Sequence, residues 1–487
     1  LWWAAWPPWE RTWWVIFCGG WREYNFEKQS GYMKFLKQSL VAASVITVIA
    51  NLLSRFFGYF REAINANYFG TSQGMDIFII AFTVPEIVAS VAFMSIPPAI
   101  IPLLKNQDLD GDFDDSRNFW SGLYLFSLIF FLLASAIYLF RFQILDLLAP
   151  DENSGMTDLG GTILAISSGY IFFRGLETYF RSWLFSKKHF IIPAFSNIIL
   201  NIVIILSVLS FYEKINIISL AIGWLLASFA ICLINGFYAF RVVIPKFTLN
   251  IAYNWINIVA KSIFAVCIIE LIATLFLIID RYLAANYLGT GEIAGLRYAL
   301  IIVTIPMAVV AAAYNTASFP WISDMIQREE LASIAKFIRK STNILLYVVG
   351  FISVFMVLFP EGIVILAFQR GAFDINSMEL TSAPLRYYAI GLVFHAIYIF
   401  LIRFYYAKRK LLRLGIILFV VLNIKLIFSI ILINYFDNEG LALATSIARF
   451  FGFILIAFDV RREVEISISD LISKSSVKII VLLLLMI

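Results

Sequence analysis

The sequence predicts an all-α polytopic membrane protein made of two parallel six-helix repeats plus the start of a thirteenth helix. Three observations carry that reading. The chain of 487 residues is 61% hydrophobic and 14% charged, with mean hydropathy +0.88, more apolar surface than a soluble chain of this size can bury. Its apolar runs are long enough for membrane helices, and the period-2 alternation of a membrane β-barrel is absent. Finally, the chain repeats itself about 220 residues apart. Ala66-Asn67-Tyr68-Phe69-Gly70-Thr71 returns as Ala285-Asn286-Tyr287-Leu288-Gly289-Thr290, and Arg61-Glu62 returns inverted as Asp280-Arg281. Arg181 with Lys187-Lys188 matches Arg403 with Arg409-Lys410, and Leu200-Asn201-Ile202 matches Leu422-Asn423-Ile424. Duplicated hydrophobic halves mark a transporter fold.

The pattern places helices at 36–64, 75–104, 118–140, 160–185, 191–211 and 217–241 in the first repeat. The second repeat has them at 254–286, 293–322, 337–359, 380–407, 412–434 and 439–461, and a thirteenth begins near 471. An even number per half sends both repeats into the membrane in the same direction, so they relate by a pseudo-two-fold along the membrane normal. One set of loops carries Lys34, Lys37, Lys105, Arg117, Lys187, Lys188, Arg241, Lys246, Arg328, Lys336, Arg339, Lys340, Lys408, Arg409, Lys410, Arg413, Arg461 and Arg462. The opposite loops have little beyond Arg141, Lys214 and Arg370. The positive-inside rule then puts Met33 in the cytoplasm. The acidic stretch Asp108 to Asp115 lies on the same side.

Four segments follow: 1–32, a six-helix lobe over 33–245, a second over 246–465, and 466–487 as the beginning of an additional helix. Residues 1–32 hold seven tryptophans and no Met before Met33, and read as translated upstream sequence. The apolar run ending at Ile487 is about half a crossing and reads as truncated. Cys18, Cys232 and Cys267 have no redox or metal-ligand spacing, and His189 and His395 stand alone. There is no phosphate loop, no activated nucleophile and no cofactor motif, so the reading is a transporter without metal or cofactor rather than an enzyme. The net charge of +5 belongs to topology, not to nucleic acid.

Charges inside the predicted spans are the candidate functional residues. Arg55, Arg61 and Glu62 lie in the first helix, and Asp76 and Glu86 in the second. Glu270, Asp280, Arg281 and Arg297 lie in the matching helices of the second repeat. Each would cost about 2.5–3.5 kcal/mol at the bilayer centre unless it faced protein or water. They imply a hydrated cavity between the halves, with Pro85, Pro97, Pro98, Pro102, Pro306 and Pro320 breaking its walls. Arg55 and Arg61 are expected to share a cavity-lining face, with Glu62, Asp76, Glu86, Glu270, Asp280 and Arg281 as acidic or gating partners. Arg61-Glu62 and Asp280-Arg281, near helix ends, also fit snorkelling or structural salt bridges. Arg174, Glu177 and Arg181 fall one turn apart and should pair with one another. His395 reads as a packed or interhelical hydrogen-bonding residue.

The stretch Ser54-Arg55-Phe56-Phe57-Gly58-Tyr59-Phe60-Arg61-Glu62, with Tyr68-Phe69-Gly70, Asp76, Ala81-Phe82, Pro85 and Pro102, resembles the start of the MurJ/MviN family of lipid II flippases, in the MATE-like MOP superfamily. Gln369-Arg370-Gly371-Ala372-Phe373 and Arg403-Phe404-Tyr405-Tyr406-Ala407 resemble two later signatures. The resemblance implies fourteen helices and a flippase for an undecaprenyl-diphosphate-linked saccharide in the bacterial cytoplasmic membrane. Arg55 and Arg61 match arginines that hold the diphosphate, and Asp76 matches a family acidic position. Ala89-Ser90 stands where the family has paired arginines, and Ile301 where it has another, with Arg297 a turn earlier as the substitute. It also implies an ion-coupling region at Asn423, Lys425 and Thr445, where Lys425 would repel a cation. The implied partners are the lipid-linked glycan, membrane lipids and envelope-synthesis enzymes. Three alternatives stay open: an exopolysaccharide or O-antigen-type oligosaccharide flippase, a multidrug or cation antiporter of the same fold, and a non-transporting envelope scaffold.

Overall fold

The computed structural model describes residues 40–105, 114–150, 154–328, 330–408 and 410–464. The stretch 1–32, Met33, Lys34, Lys37, the acidic residues Asp108 to Asp112, Arg409 and the thirteenth helix fall outside them. The described chain is helical throughout. Its elements are α1 (Leu40–Phe69), α2 (Gln73–Lys105), α3 (Asp115–Leu139), α4 (Arg141–Leu148), α5 (Ser154–Ser186), α6 (Ile191–Ile215) and α7 (Ile218–Val243). They continue as α8 (Tyr253–Tyr287), α9 (Glu292–Pro306), a π-turn Met307–Ala311, α10 (Ala312–Gln327), α11 (Leu331–Leu358), α12 (Pro360–Phe368), α13 (Ile375–Lys408) and α14 (Leu411–Val464). Among the described residues eight helices are long and apolar enough to cross a membrane, and the halves of α13, bent by 49°, make a ninth.

All twelve expected spans have a helical counterpart, with four differences. Short helices α4 and α12 follow the third span of each repeat at equivalent places. Neither is long enough to cross a bilayer, so neither has the apolar run of a span. The expected helix 293–322 is broken: Pro306 lacks the N–H that would continue the ladder, and the next five residues wind as a π-turn. In contrast α2 runs unbroken through Pro85, Pro97, Pro98 and Pro102, against the expectation that prolines break it. Thr83 Oγ1 donates to the Ile79 carbonyl at 2.7 Å, and the Ser95 hydroxyl to Val91, which adds side-chain bonds within this helix. At the other end of the chain, α14 comprises two expected spans joined at Phe436 and Asp437, where Asp437 has φ 45°.

Two compact units emerge. One is 1–65 with Ile77–Leu271; the other is Ala66–Asp76 with Ile272–Ile487. The division thus runs through α8 rather than at 245/246, and the α1–α2 tip belongs to the second unit. In the first unit an aromatic core surrounds Phe119, with Trp120, Tyr179, Phe180, Trp183 and Phe240 all in ring contact. Segment 244–252 is laced to α3. Tyr124 donates to the Thr248 carbonyl at 3.0 Å, Arg117 to Ile251 at 2.9 Å, and Ala252 N–H to Ser121 Oγ at 2.8 Å. That lacing explains why the unit continues past residue 245.

The second unit is organised on α13, which is buried from Leu385 to Leu401 on nearly every side. Its bend has a local cause. Ser446 Oγ donates to the Tyr387 carbonyl at 2.6 Å and accepts from Gly391 N–H at 3.1 Å. These two backbone groups are four residues apart and would otherwise bond each other. A hydroxyl inserted into the ladder opens the helix on that side. Gly391 is required there because a Cβ would overlap Ser446. At the far end of α13, Tyr405 donates to Asp459 at 2.6 Å. Lys408 and Arg413 reach Glu463 at 3.1 and 2.9 Å, with Lys410–Glu463 and Arg413–Asp459 contacts beside them.

Ser446→Ala removes the bridge from both backbone groups and should lower stability by about 1–3 kcal/mol. Gly391→Ala should be at least as damaging, because its Cβ meets backbone as well as the hydroxyl. Thermal unfolding in detergent checks both.

Candidate functional site

In the first unit, the charges near the end of α1 are bound into its own bundle. Arg61 pairs with Glu62, donates through Nη1 to Asn201 Oδ1 at 2.9 Å, and lies over the Trp224 ring at 4.8 Å. Asn201 Nδ2 donates to the Ser54 carbonyl at 3.2 Å and to Asn197 at 2.9 Å, so α6 is stitched to α1. Asn65 Nδ2 reaches Glu62 at 3.3 Å. Arg55, by contrast, is exposed. Six residues at about 100° each put it roughly 120° around the helix from Arg61. The expectation that the two arginines share one face is corrected: only Arg55 is presented outward from the bundle.

Deeper in the same unit, Glu177 is fully buried. It accepts from Arg174 Nη1 at 3.0 Å, Arg181 Nε at 2.8 Å and Asn235 Nδ2 at 2.9 Å, and both guanidiniums lie on the Phe93 ring. The mutual pairing expected from their spacing is present. Glu86 is half-buried. Glu270 is half-buried.

In the second unit Asp76 has a definite role. Its carboxylate accepts from the Gly291 N–H and, at 2.8 Å, from the Ala294 N–H, the free donors at the start of α9. Around it a clasp forms. Gly70 ends α1 with φ 51°, and Ala372 N–H donates to the Asn67 carbonyl at 2.8 Å. The Thr71 and Ser377 hydroxyls meet at 2.8 Å. Gly371, with φ 57°, lies so close to Asn67 that a Cβ would overlap it. Asp374 caps α13 through Ser377 N–H at 2.8 Å, and these Ser377 bonds hold its carboxyl below the usual range. The repeated Ala-Asn-Tyr-Phe-Gly-Thr motif therefore marks a docking turn in its first copy.

Asp280 meets Lys425 Nζ at 2.6 Å, and Lys425 also donates to Thr445 Oγ1 at 2.9 Å and lies 5.3 Å from the Phe276 ring centre. Lys425 is 1% exposed, deep in the unit. Asn423 does not join it: that side chain is exposed and bonds its own helix at Phe419. Lys425 sets its ammonium against the Asp280 and Thr445 oxygens, and that donor set does not fit a bound cation. Arg281 is buried, and Arg297 is half-buried on α9. His395 is half-buried and stacks on Tyr398, as a packed residue does. Asn201 was legible as a repeat match, but its contact with Arg61 was not. Trp224 and Ser446 had no sequence signal.

Asp76→Ala should expose the α9 N–H groups. Faster amide exchange over 291–294 in the intact protein, partly restored in Asp76→Asn, is the expected outcome.

Comparison with known proteins supplies an independent frame. A family profile described as "Lipid II flippase MurJ" matches residues 65–487. The chain is 27% identical over 446 residues to a probable lipid II flippase MurJ of Buchnera aphidicola subsp. Schizaphis graminum, covering 87% of this chain and 83% of that one. It is 25% identical over 452 residues to the Borreliella burgdorferi protein of the same description, covering 89% and 86%. Among solved structures, a lipid II flippase MurJ in an inward closed conformation matches at TM-score 0.77 and 26% identity, over 91% of each chain. An inward-facing multidrug resistance MATE transporter of the MOP superfamily matches at TM-score 0.68 but 10% identity, a likeness of fold alone, over 87% of this chain and 98% of that one.

Proposed function

The chain belongs to the lipid II flippase MurJ family, and we propose that it carries lipid II across the bacterial cytoplasmic membrane by alternating access. It is a multi-pass membrane transporter rather than an enzyme. The observation that carries the reading is the likeness to a MurJ structure over nine-tenths of both chains. The lipid II head group is charged and hydroxyl-rich, and cannot enter hydrocarbon unaided. Arginine answers that problem, because its planar fork gives a diphosphate two parallel charge-assisted hydrogen bonds.

In this reading Arg55 contacts the diphosphate, Arg297 is the second unit's candidate for the same chemistry, and Arg61 acts through its bonds to Glu62 and Asn201 to hold α1 in place. The Asp76 clasp fastens the α1–α2 tip to α9 and the turn before α13, and its release frees that tip. Glu86 and Glu270 stand as acidic groups of the transport path. The loop-charge bias supports a cytoplasmic Met33 end.

Arg55→Ala should cut translocation of lipid II by tenfold or more at unchanged membrane abundance, and Arg55→Lys should restore part of it, keeping charge but losing the fork. Full activity in Arg55→Ala at normal abundance would sink the diphosphate role. Lys425 supplies its own cation, so replacing sodium by N-methylglucamine should leave the rate unchanged. A strict sodium requirement would overturn that assignment.

A further inference from the structure

Helix α11 changes character along one face. Its first turns present Lys336, Arg339 and Lys340 outward, all exposed, while Ile334 and Ile338 turn inward. The same face continues as Ile344, Tyr347, Phe351, Phe355 and Leu358, exposed at 37, 47, 76, 49 and 54%. Lys336, Lys340, Ile344, Tyr347, Phe351, Phe355 and Leu358 recur every three or four positions and stay within about 100° of arc, with Arg339 about 60° to one side. At 1.5 Å per residue, Lys340 to Leu358 rises about 27 Å, close to one hydrocarbon thickness, and Lys340 to Phe351 about half of it. The apolar stripe therefore has the length of a bilayer, with cations at its polar end.

Lys336 and Lys340 differ from the other basic cluster of this unit. Lys408, Lys410 and Arg413 are neutralised by Asp459 and Glu463. Among the described residues, no ion pair is formed by Lys336 or Lys340. Nearby Asp324 is paired with Arg328 at 3.0 Å, and Glu330 precedes the helix by about 9 Å of rise from Lys336.

We propose that this face of α11 is a binding site for an anionic phospholipid, its phosphate held by Lys336 and Lys340 and an acyl chain lying along Ile344, Tyr347 and Phe351. The charge fits a phosphate that carries no compensating amine, and the spacing puts that phosphate where a leaflet's head groups lie. The site shares no residue with Arg55 and Arg297, the arginines proposed to hold the transported diphosphate.

The test uses the full chain in phosphatidylcholine nanodiscs titrated with spin-labelled phosphatidylglycerol or phosphatidylcholine. The protein should prefer phosphatidylglycerol, and Lys336→Gln with Lys340→Gln should reduce that preference roughly tenfold. Lys261→Gln, an exposed single cation on α8, should leave it intact. Should the double variant fail to fold, Lys336→Arg with Lys340→Arg keeps the charge and should keep the preference, and 1 M salt should erase it in the unaltered protein. No preference in the unaltered protein, or the same preference in the folded double Gln variant, overturns the site. So does a polyprenyl diphosphate that displaces phosphatidylglycerol from it, since the face would then belong to the substrate.

Discussion

The constraint on which this structure depends is that an ionised side chain within a membrane helix must face either a partner in the protein or water. An unpaired charge in hydrocarbon costs several kcal/mol, and the marginal stability of a fold does not absorb several such costs. The chain meets the constraint at equivalent places with opposite polarity. In the first unit the cation is on α1: Arg61, held by Glu62 and by Asn201 of α6. In the second the anion is on α8: Asp280, held by Lys425 of α14. The first and fifth long helices of each repeat are joined either way. The inverted dipeptides Arg61-Glu62 and Asp280-Arg281 are thus two solutions to one electrostatic requirement.

The same requirement governs the backbone. Asp76 satisfies the first donors of α9, which no helix can satisfy for itself. Ser446 enters the ladder of α13 and keeps both groups it separates bonded. Bends are therefore built where side-chain oxygens can replace backbone partners. The π-turn after Pro306 is a third departure from regular helix, in the element that the Asp76 clasp caps. A transporter needs helices that deviate from straight rods, and these devices supply the deviation without leaving polar groups unpaired.

Fold and function class meet at the family level. The MurJ likeness covers nearly the whole chain, whereas the MATE likeness, at 10% identity, speaks only to the arrangement of helices. The chemistry that separates a carrier of a diphosphate from one of a cation resides in a few side chains, and here Arg55 and Arg297 are the cationic ones proposed for that role.

By itself the sequence determined the twelve long helices, their duplication and the charged positions within them, because hydrophobic length and repeat spacing are written residue by residue. It also determined the Arg174–Glu177–Arg181 pairing, since residues one turn apart on a helix must meet. Tertiary structure decided the rest. That Arg61 turns to Asn201 while Arg55 faces outward depends on which side of α1 meets α6, a matter of packing. That Lys425 points at Asp280 while Asn423 turns away depends on the rotation of α14, which composition does not record. Asp76 looked like a cavity acid and is a helix cap, because its partners lie more than two hundred residues along the chain and come together only in the fold.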